Sequence, residues 1–238
     1  MYKDKRVLAV IPARGGSKGV PKKNLRTING IPLVAVACIC AKNVDMIDVI
    51  VVSTDCNEIA EAAQKYGAKA PFKRPKLISG DDASDLDVLD HALDEMEKQT
   101  KSTFDVVVML QPTSPLRTPL QVSSVISKLI DEELDAVWTV SPTGSKYHPT
   151  KQLRITNGLL EYCLPEGKKI PPRQHLEQVY HVNGIAYALT RSCIVDQKHR
   201  LGKCTGASII DGPAISIDTV DDFELVENIL NNHMHNKN

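Results

Sequence analysis

The stretch Ile11–Asn24, IPARGGSKGVPKKN, places three glycines (Gly15, Gly16, Gly19) and four cations (Arg14, Lys18, Lys22, Lys23) directly after the short apolar run Val7–Ile11. Glycines let backbone N–H groups turn onto an anion, and cations supply the charge that a polyphosphate needs neutralised. A loop that closes a first strand is also where open α/β sheets bind their ligands. Neither GxxxxGK[ST] nor GxGxxG can be laid on it, so the P-loop and the dinucleotide fingerprint both fail. The competing reading is a flexible basic surface turn, but a solvated turn has little use for three glycines as well.

Strand and helix signals alternate around this loop. Val7–Ile11, Ile47–Ser53, Asp105–Leu110 and Ala136–Val140 are apolar and rich in β-branched residues, as strands buried on both faces are. Between them, SDLDVLDHALDEMEKQ sets Leu86, Leu89, Leu93 and Met96 at 3-4-3 spacing with Ser84 placed as a cap, and CNEIAEAAQKYG stops on Gly67. That alternation predicts a parallel sheet with helices on both faces. From Pro142 to about Tyr180 the text turns polar and holds five prolines. Two short strand-like pieces, Gln152–Thr156 and Leu159–Cys163, flank Asn157-Gly158, a strong hairpin signal. Residues 142–180 are therefore read as an insertion that leaves the sheet and returns at HVNGIAYALT. The sequence AISIDTVDDFELVENIL predicts a strand and then a helix with Phe223, Val226, Ile229 and Leu230 on one face.

The totals narrow the function classes. At 238 residues one sizeable domain is expected. The 29 basic residues equal the 29 acidic ones, so the charge of the opening loop is local and the excess typical of a nucleic-acid binder is missing. No apolar run is long enough to span a bilayer, and five apolar or small residues before Pro12 are too few for a leader-peptide core. Six cysteines without CxxC or His partners at metal spacing suit thiols in a reducing cytoplasm.

Six segments, taken together, resemble a known family. The opening stretch, VSTD (ending Ser53–Asp55), KRP (Lys73–Pro75), LQPTSPLR (Leu110–Arg117), VNGIAYAL (Val182–Leu189) and IDTVDDF (Ile217–Phe223) are similar, in order and spacing, to the acylneuraminate cytidylyltransferases, which make CMP-activated sialic acids and related nonulosonic acids. The resemblance implies a three-layer, Rossmann-like α/β nucleotidyltransferase domain over residues 1–238, with a mostly parallel sheet and with 142–180 as a small dimerisation arm. It implies a homodimer that transfers CMP from CTP to the anomeric hydroxyl of a sialic-acid-like sugar and releases pyrophosphate. The sugar could equally be legionaminic, pseudaminic or ketodeoxynonulosonic acid.

Carried over position by position, the resemblance puts Arg14, Gly15, Gly16, Ser17, Lys18 and Lys23 on the CTP phosphates, Lys23 at the α-phosphate, and Asn24 and Arg74 at the nucleoside. It puts Gln111, Arg173, Asn183 and Tyr187 around the sugar. Near Mg²⁺ the family commonly has two aspartates one residue apart; here Asp218 holds the second place and Ser216 the first. One carboxylate can suffice, since Mg²⁺ is usually held by one or two carboxylates plus phosphate oxygens and water. The loss of a charge also keeps open a degenerate relative that senses CTP without turnover. Several residues have plain alternatives: Asp55 as a helix cap, Arg173 and His91 as exposed side chains, QPTSPLR as a proline-rich turn, and Asp222 with Thr219 as a capping box.

Overall fold

The computed structural model describes residues 1–169 and 172–235. From the first strand, β1 (Val7–Pro12), the chain passes through a small hairpin, β2 (Thr27–Ile28) and β3 (Ile31–Pro32), into helix α1 (Leu33–Lys42). It continues through β4 (Val49–Ser53), α2 (Asn57–Lys65), α3 (Asp85–Thr100), β5 (Val106–Met109), α4 (Pro119–Asp131) and β6 (Ala136–Pro142). A separate hairpin, β7 (Leu153–Thr156) and β8 (Leu159–Tyr162), precedes β9 (Tyr180–Thr190), α5 (Arg191–Val195), β10 (Thr205–Ile209) and α6 (Val220–His235).

The main sheet has the order β10-β6-β9-β5-β1-β4. β1 runs parallel to β4 and β5, and β10 runs parallel to β6. β9 lies antiparallel between β5 and β6 and joins the two halves. β1 shows why the sheet is a middle layer. Val7, Ala9 and Ile11 pack with α1, α2 and α4, while Leu8 and Val10 pack with α3 and α5. Alternate side chains of an apolar strand point to opposite faces, so a strand without polar positions needs cover on both. A third, smaller cluster joins Val20 of the opening loop to Ile28, Leu33, Ile217, Phe223 and Val226, and so anchors α6 behind that loop.

Most of the expected elements form. Ser84 Oγ accepts from the Asp87 N–H and caps α3. Asn157 and Gly158 both have positive φ, 51° and 79°, as the tight turn of the β7–β8 hairpin requires. The segment expected as a strand before α6 does not form one. Residues 214–218 run as a loop whose Ile217 N–H donates to Thr113 O at 2.8 Å. His91, expected on the surface, is half-buried, edge-on to the Phe72 ring at 5.2 Å.

Candidate active site

The carboxyl ends of β1, β4 and β5 open on one side of the sheet, where the loops after β1 and β5, the segment between α2 and α3 and the loop before α6 wall a cleft of about 600 Å³. Sheet direction dictates this. Parallel strands aim their carboxyl ends the same way, and the loops meet there.

The first wall is the glycine-rich loop. Its shape comes from close approaches that side chains would block. A Cβ on Gly19 would stand 2.7 Å from the Asp218 carbonyl oxygen, so this glycine lets the opening loop touch the loop before α6. A Cβ on Gly15 would meet the Cys56 Cβ at 2.9 Å. The Gly15 N–H donates to Asp55 Oδ1 at 2.8 Å, the Lys23 N–H to Ser17 Oγ at 3.1 Å, and Asn24 Nδ2 to Arg14 O at 3.0 Å. Asp55 is thus a brace for the loop and not the cap of α2; Cys56 holds the cap position.

These links turn Arg14, Ser17, Lys18, Lys23 and Asn24 toward the cleft, while Gly15 and Gly16 shape the turn behind it. Each cation has an acidic neighbour. Arg14 pairs with Asp81 at 2.7 Å, Lys18 pairs with the same carboxylate, and Lys23 Nζ lies 3.1 Å from Asp218 Oδ1 and donates to Ile217 O at 2.8 Å. Hydrogen bonds from Lys18 and Arg14 hold the Asp81 carboxyl below its usual range.

Arg74 also lines the cleft, its backbone N–H donating to Thr54 O beside the Asp55 that braces the glycine-rich loop. It is only 5% exposed, and its Nε and Nη2 have no hydrogen-bond partner among the described residues. Burial pulls its guanidinium down; the nearby Asp55 opposes that shift and Arg14 adds to it. Two buried donors in search of acceptors point to a ligand that supplies them.

Gln111, Pro112 and Thr113 at the end of β5, together with Ser216 and Asp218, complete the cleft. Ser216 and Asp218 both reach it, although the stretch holding them is a loop. Asn183 and Tyr187 do not line it. Asn183 donates to Ser141 Oγ and accepts from the Ile185 N–H, and the Tyr187 hydroxyl accepts from the Gly184 N–H at 2.7 Å. Both are buried beneath the Gln111 side of the cleft. The side chain of Arg173 lies outside the described residues. The sequence reading missed Asp81, in the turn before α3, and Asp85, the first residue of α3, which both line the cleft. The signal available was the acidic, small-residue run GDDASD, which begins at Gly80, with four residues between it and KRP.

For a divalent cation the cleft offers hard oxygen donors. The Asp218 carboxylate and Ser216 hydroxyl share one wall, with Asp81 also facing the space. No group of three or more His, Cys, Asp or Glu side chains with metal-site geometry occurs among the described residues. A cation here would therefore draw most of its ligands from bound phosphate and water, which suits Mg²⁺ better than metals that need a protein cage.

A family model described as "Cytidylyltransferase" matches residues 8–171. The chain belongs to the cytidylyltransferase family. Among relatives of this cytidylyltransferase, the CMP-N,N'-diacetyllegionaminic acid synthase of Legionella pneumophila is 32% identical over 229 residues, 94% of this chain and 96% of that one. Post-translational flagellin modification protein B of Campylobacter coli is 32% identical over 93% of each chain. The pseudaminic acid cytidylyltransferase of Campylobacter jejuni is 30% identical over 92% of this chain and 94% of its own. The fold is that of a solved CMP:2-keto-3-deoxy-manno-octonic acid synthetase complexed with CTP, with a TM-score of 0.71 at 20% identity over 96% of this chain and all of the other. No helix among the described residues is long and apolar enough to cross a membrane.

Proposed function

We propose that this cytidylyltransferase transfers CMP from CTP to the anomeric hydroxyl of a nonulosonic acid. The hydroxyl oxygen forms a bond to the α-phosphorus, the bond from that phosphorus to the bridging oxygen breaks, and pyrophosphate leaves. The observation that carries this reading is one cleft holding three loop cations, Arg14, Lys18 and Lys23, together with a buried Arg74 whose two donors are unpartnered among the described residues. Phosphoryl transfer asks little covalent work of a protein; positioning and charge neutralisation dominate. Arg14 and Lys18 neutralise the leaving phosphates and Ser17 holds the loop to them. Lys23, drawn toward the Asp218 wall, serves the α-phosphate. Cytosine presents its O2 and N3 side by side as acceptors, which suits the two donors of Arg74, whereas N3 of uracil carries a hydrogen. Asn24 fixes the Arg14 carbonyl beside the nucleoside, and Gln111 faces the sugar.

Mg²⁺ fits the donor set, with Asp218 as anchor and Ser216 beside it; when bound it screens charge on the phosphate oxygens. The apolar residues exposed on the β7–β8 hairpin support a homodimer built through residues 142–180. Six free cysteines, three of them buried, support a cytoplasmic setting.

The test is pyrophosphate release from CTP and Mg²⁺ across sialic, legionaminic, pseudaminic and ketodeoxynonulosonic acids, with ATP, GTP and UTP as controls. Release with CTP and at least one of these sugars is expected. CTP binding with no release across the panel would instead support the CTP sensor that Ser216 keeps open, with Ser216→Asp as the rescue to try.

A further inference from the structure

The LQPTSPLR run contributes Gln111, Pro112 and Thr113 to the cleft, but its last residue, Arg117, points the other way, into the protein. Arg117 is only 6% exposed, and no carboxylate faces it among the described residues. Burial lowers its guanidinium to about 10, which leaves it a cation at neutral pH. A buried charge without a counter-ion is costly, so its surroundings must supply compensation. They do so with three backbone carbonyls. Nε donates to Ile185 O, and Nη2 donates to Gln111 O at 2.6 Å and to Gly184 O at 3.1 Å.

Two of these carbonyls belong to a bend in β9 and the third to Gln111, in the loop just after β5 at the cleft. The same seam is stitched again by Ser114 Oγ, which donates to Asn183 O at 3.2 Å. Gly184 sits in the left-handed region, φ 73°, and a Cβ there would stand 2.8 Å from Gln111 Oε1. The bend therefore supports the Gln111 side chain from below. A planar guanidinium can span three diverging carbonyls; an ammonium, as a compact point donor, cannot hold that spread geometry.

We propose that Arg117 is a positioning residue for the acceptor half of the cleft: by tying Gln111 O to the Gly184–Ile185 bend, it holds the Gln111 side chain at the cleft wall. The proposal rests on the reading above in which Gln111 faces the sugar. It separates the two substrates, because the CTP half is built by the glycine-rich loop and Arg74, neither of which Arg117 touches.

The test compares wild type, Arg117→Lys, Gln111→Ala and the double variant in steady-state kinetics, far below the melting temperature. Arg117→Lys is expected to raise the KM for the nonulosonic acid about tenfold while the KM for CTP stays within about twofold, since small displacements of a positioning group have large effects. Gln111→Ala is expected to cost much less in the Arg117→Lys background than alone, because the two act as one unit. A parallel rise in both KM values, or full additivity of the two substitutions, would overturn the proposal. If Arg117→Lys lacks a cooperative melt, Ser114→Ala removes one stitch of the seam, and an unchanged sugar KM in that variant would overturn it equally. If wild type releases no pyrophosphate with any such sugar, it is the functional reading that fails. The seam is then judged by hydrogen exchange in Arg117→Lys. Faster exchange at the Gly184 and Ile185 amides with unchanged CTP affinity upholds positioning, and unchanged exchange rejects it.

Discussion

Asp81 shows how the cations of the cleft are paired within the protein. Its carboxylate bridges Arg14 and Lys18, the two cations that a triphosphate would need. In the proposed reaction a triphosphate would compete with this carboxylate for the two cations. All three side chains are partly or largely exposed, so the pair is weak and solvent-screened. Asp81→Asn should accordingly tighten CTP and pyrophosphate binding by no more than about fivefold. Titration calorimetry in low salt checks this, and weaker binding in the variant would show that Asp81 helps to hold the nucleotide. Gly19 carries the opposite kind of constraint, one of space. With a Cβ only 2.7 Å from the Asp218 carbonyl, Gly19→Ala must push the opening loop away from the Asp218 loop. Catalytic rate should fall about tenfold or more while the melting temperature moves by only a few degrees, because the methyl strains the joint between two cleft walls and not the core. Equal activity at equal stability would mean that this joint is slack.

Among elements, α3 and α5 are tied by one ion pair with a clear pH signature. Arg191 lies 3.0 Å from Glu97, which also accepts from the Phe104 N–H. Burial alone would push the Glu97 carboxyl up, but Arg191 and the Phe104 N–H outweigh it and hold the carboxyl below its ordinary value of 4.5. A lowered folded value means the pair contributes fully above the ordinary value and is lost as pH falls through the folded one. Glu97→Gln should melt about 2–4 °C below wild type at pH 7, and the gap should close as pH drops below 4.5. A gap that persists in acid would assign the loss to packing.

The elements also show what could be read from the residues. The 3-4-3 spacing of α3, the Ser84 cap and the Asn157-Gly158 turn are local signals, and each formed as its chemistry demands. AISID alternates as a strand should, yet a strand needs a partner edge. This segment pairs with no strand among the described residues, and its backbone link to the loop after β5 runs from Ile217 to Thr113. Strand direction was equally hidden in β9. Residue alternation marks the buried faces but says nothing about which way a strand runs, and here the return from the insertion comes back antiparallel. At the cleft, the cations of the opening loop were legible because glycines and charges cluster in sequence. Asp81 and the bracing role of Asp55 were not, because both act through partners tens of residues away.

For the whole molecule, the β7–β8 hairpin stands apart from the three-layer body. Ile155 and Leu160 face each other across the strands on one side of the hairpin and are 74% and 69% exposed, on a hairpin too small to bury them alone. A second copy covering this face is the arrangement expected from the homodimer reading. Leu160→Asp should then shift the sedimenting species to the 26.2 kDa monomer, while a wild type already monomeric at micromolar concentration would contradict a dimer through this face.

The most direct test of the whole assignment is the phosphorus NMR spectrum of a complete reaction with CTP, Mg²⁺ and the sugar that supports pyrophosphate release. Attack at the α-phosphorus requires pyrophosphate and one new CMP phosphodiester in equal amounts. CDP with orthophosphate, or pyrophosphate accompanied only by free CMP, would contradict cytidylyl transfer to the sugar.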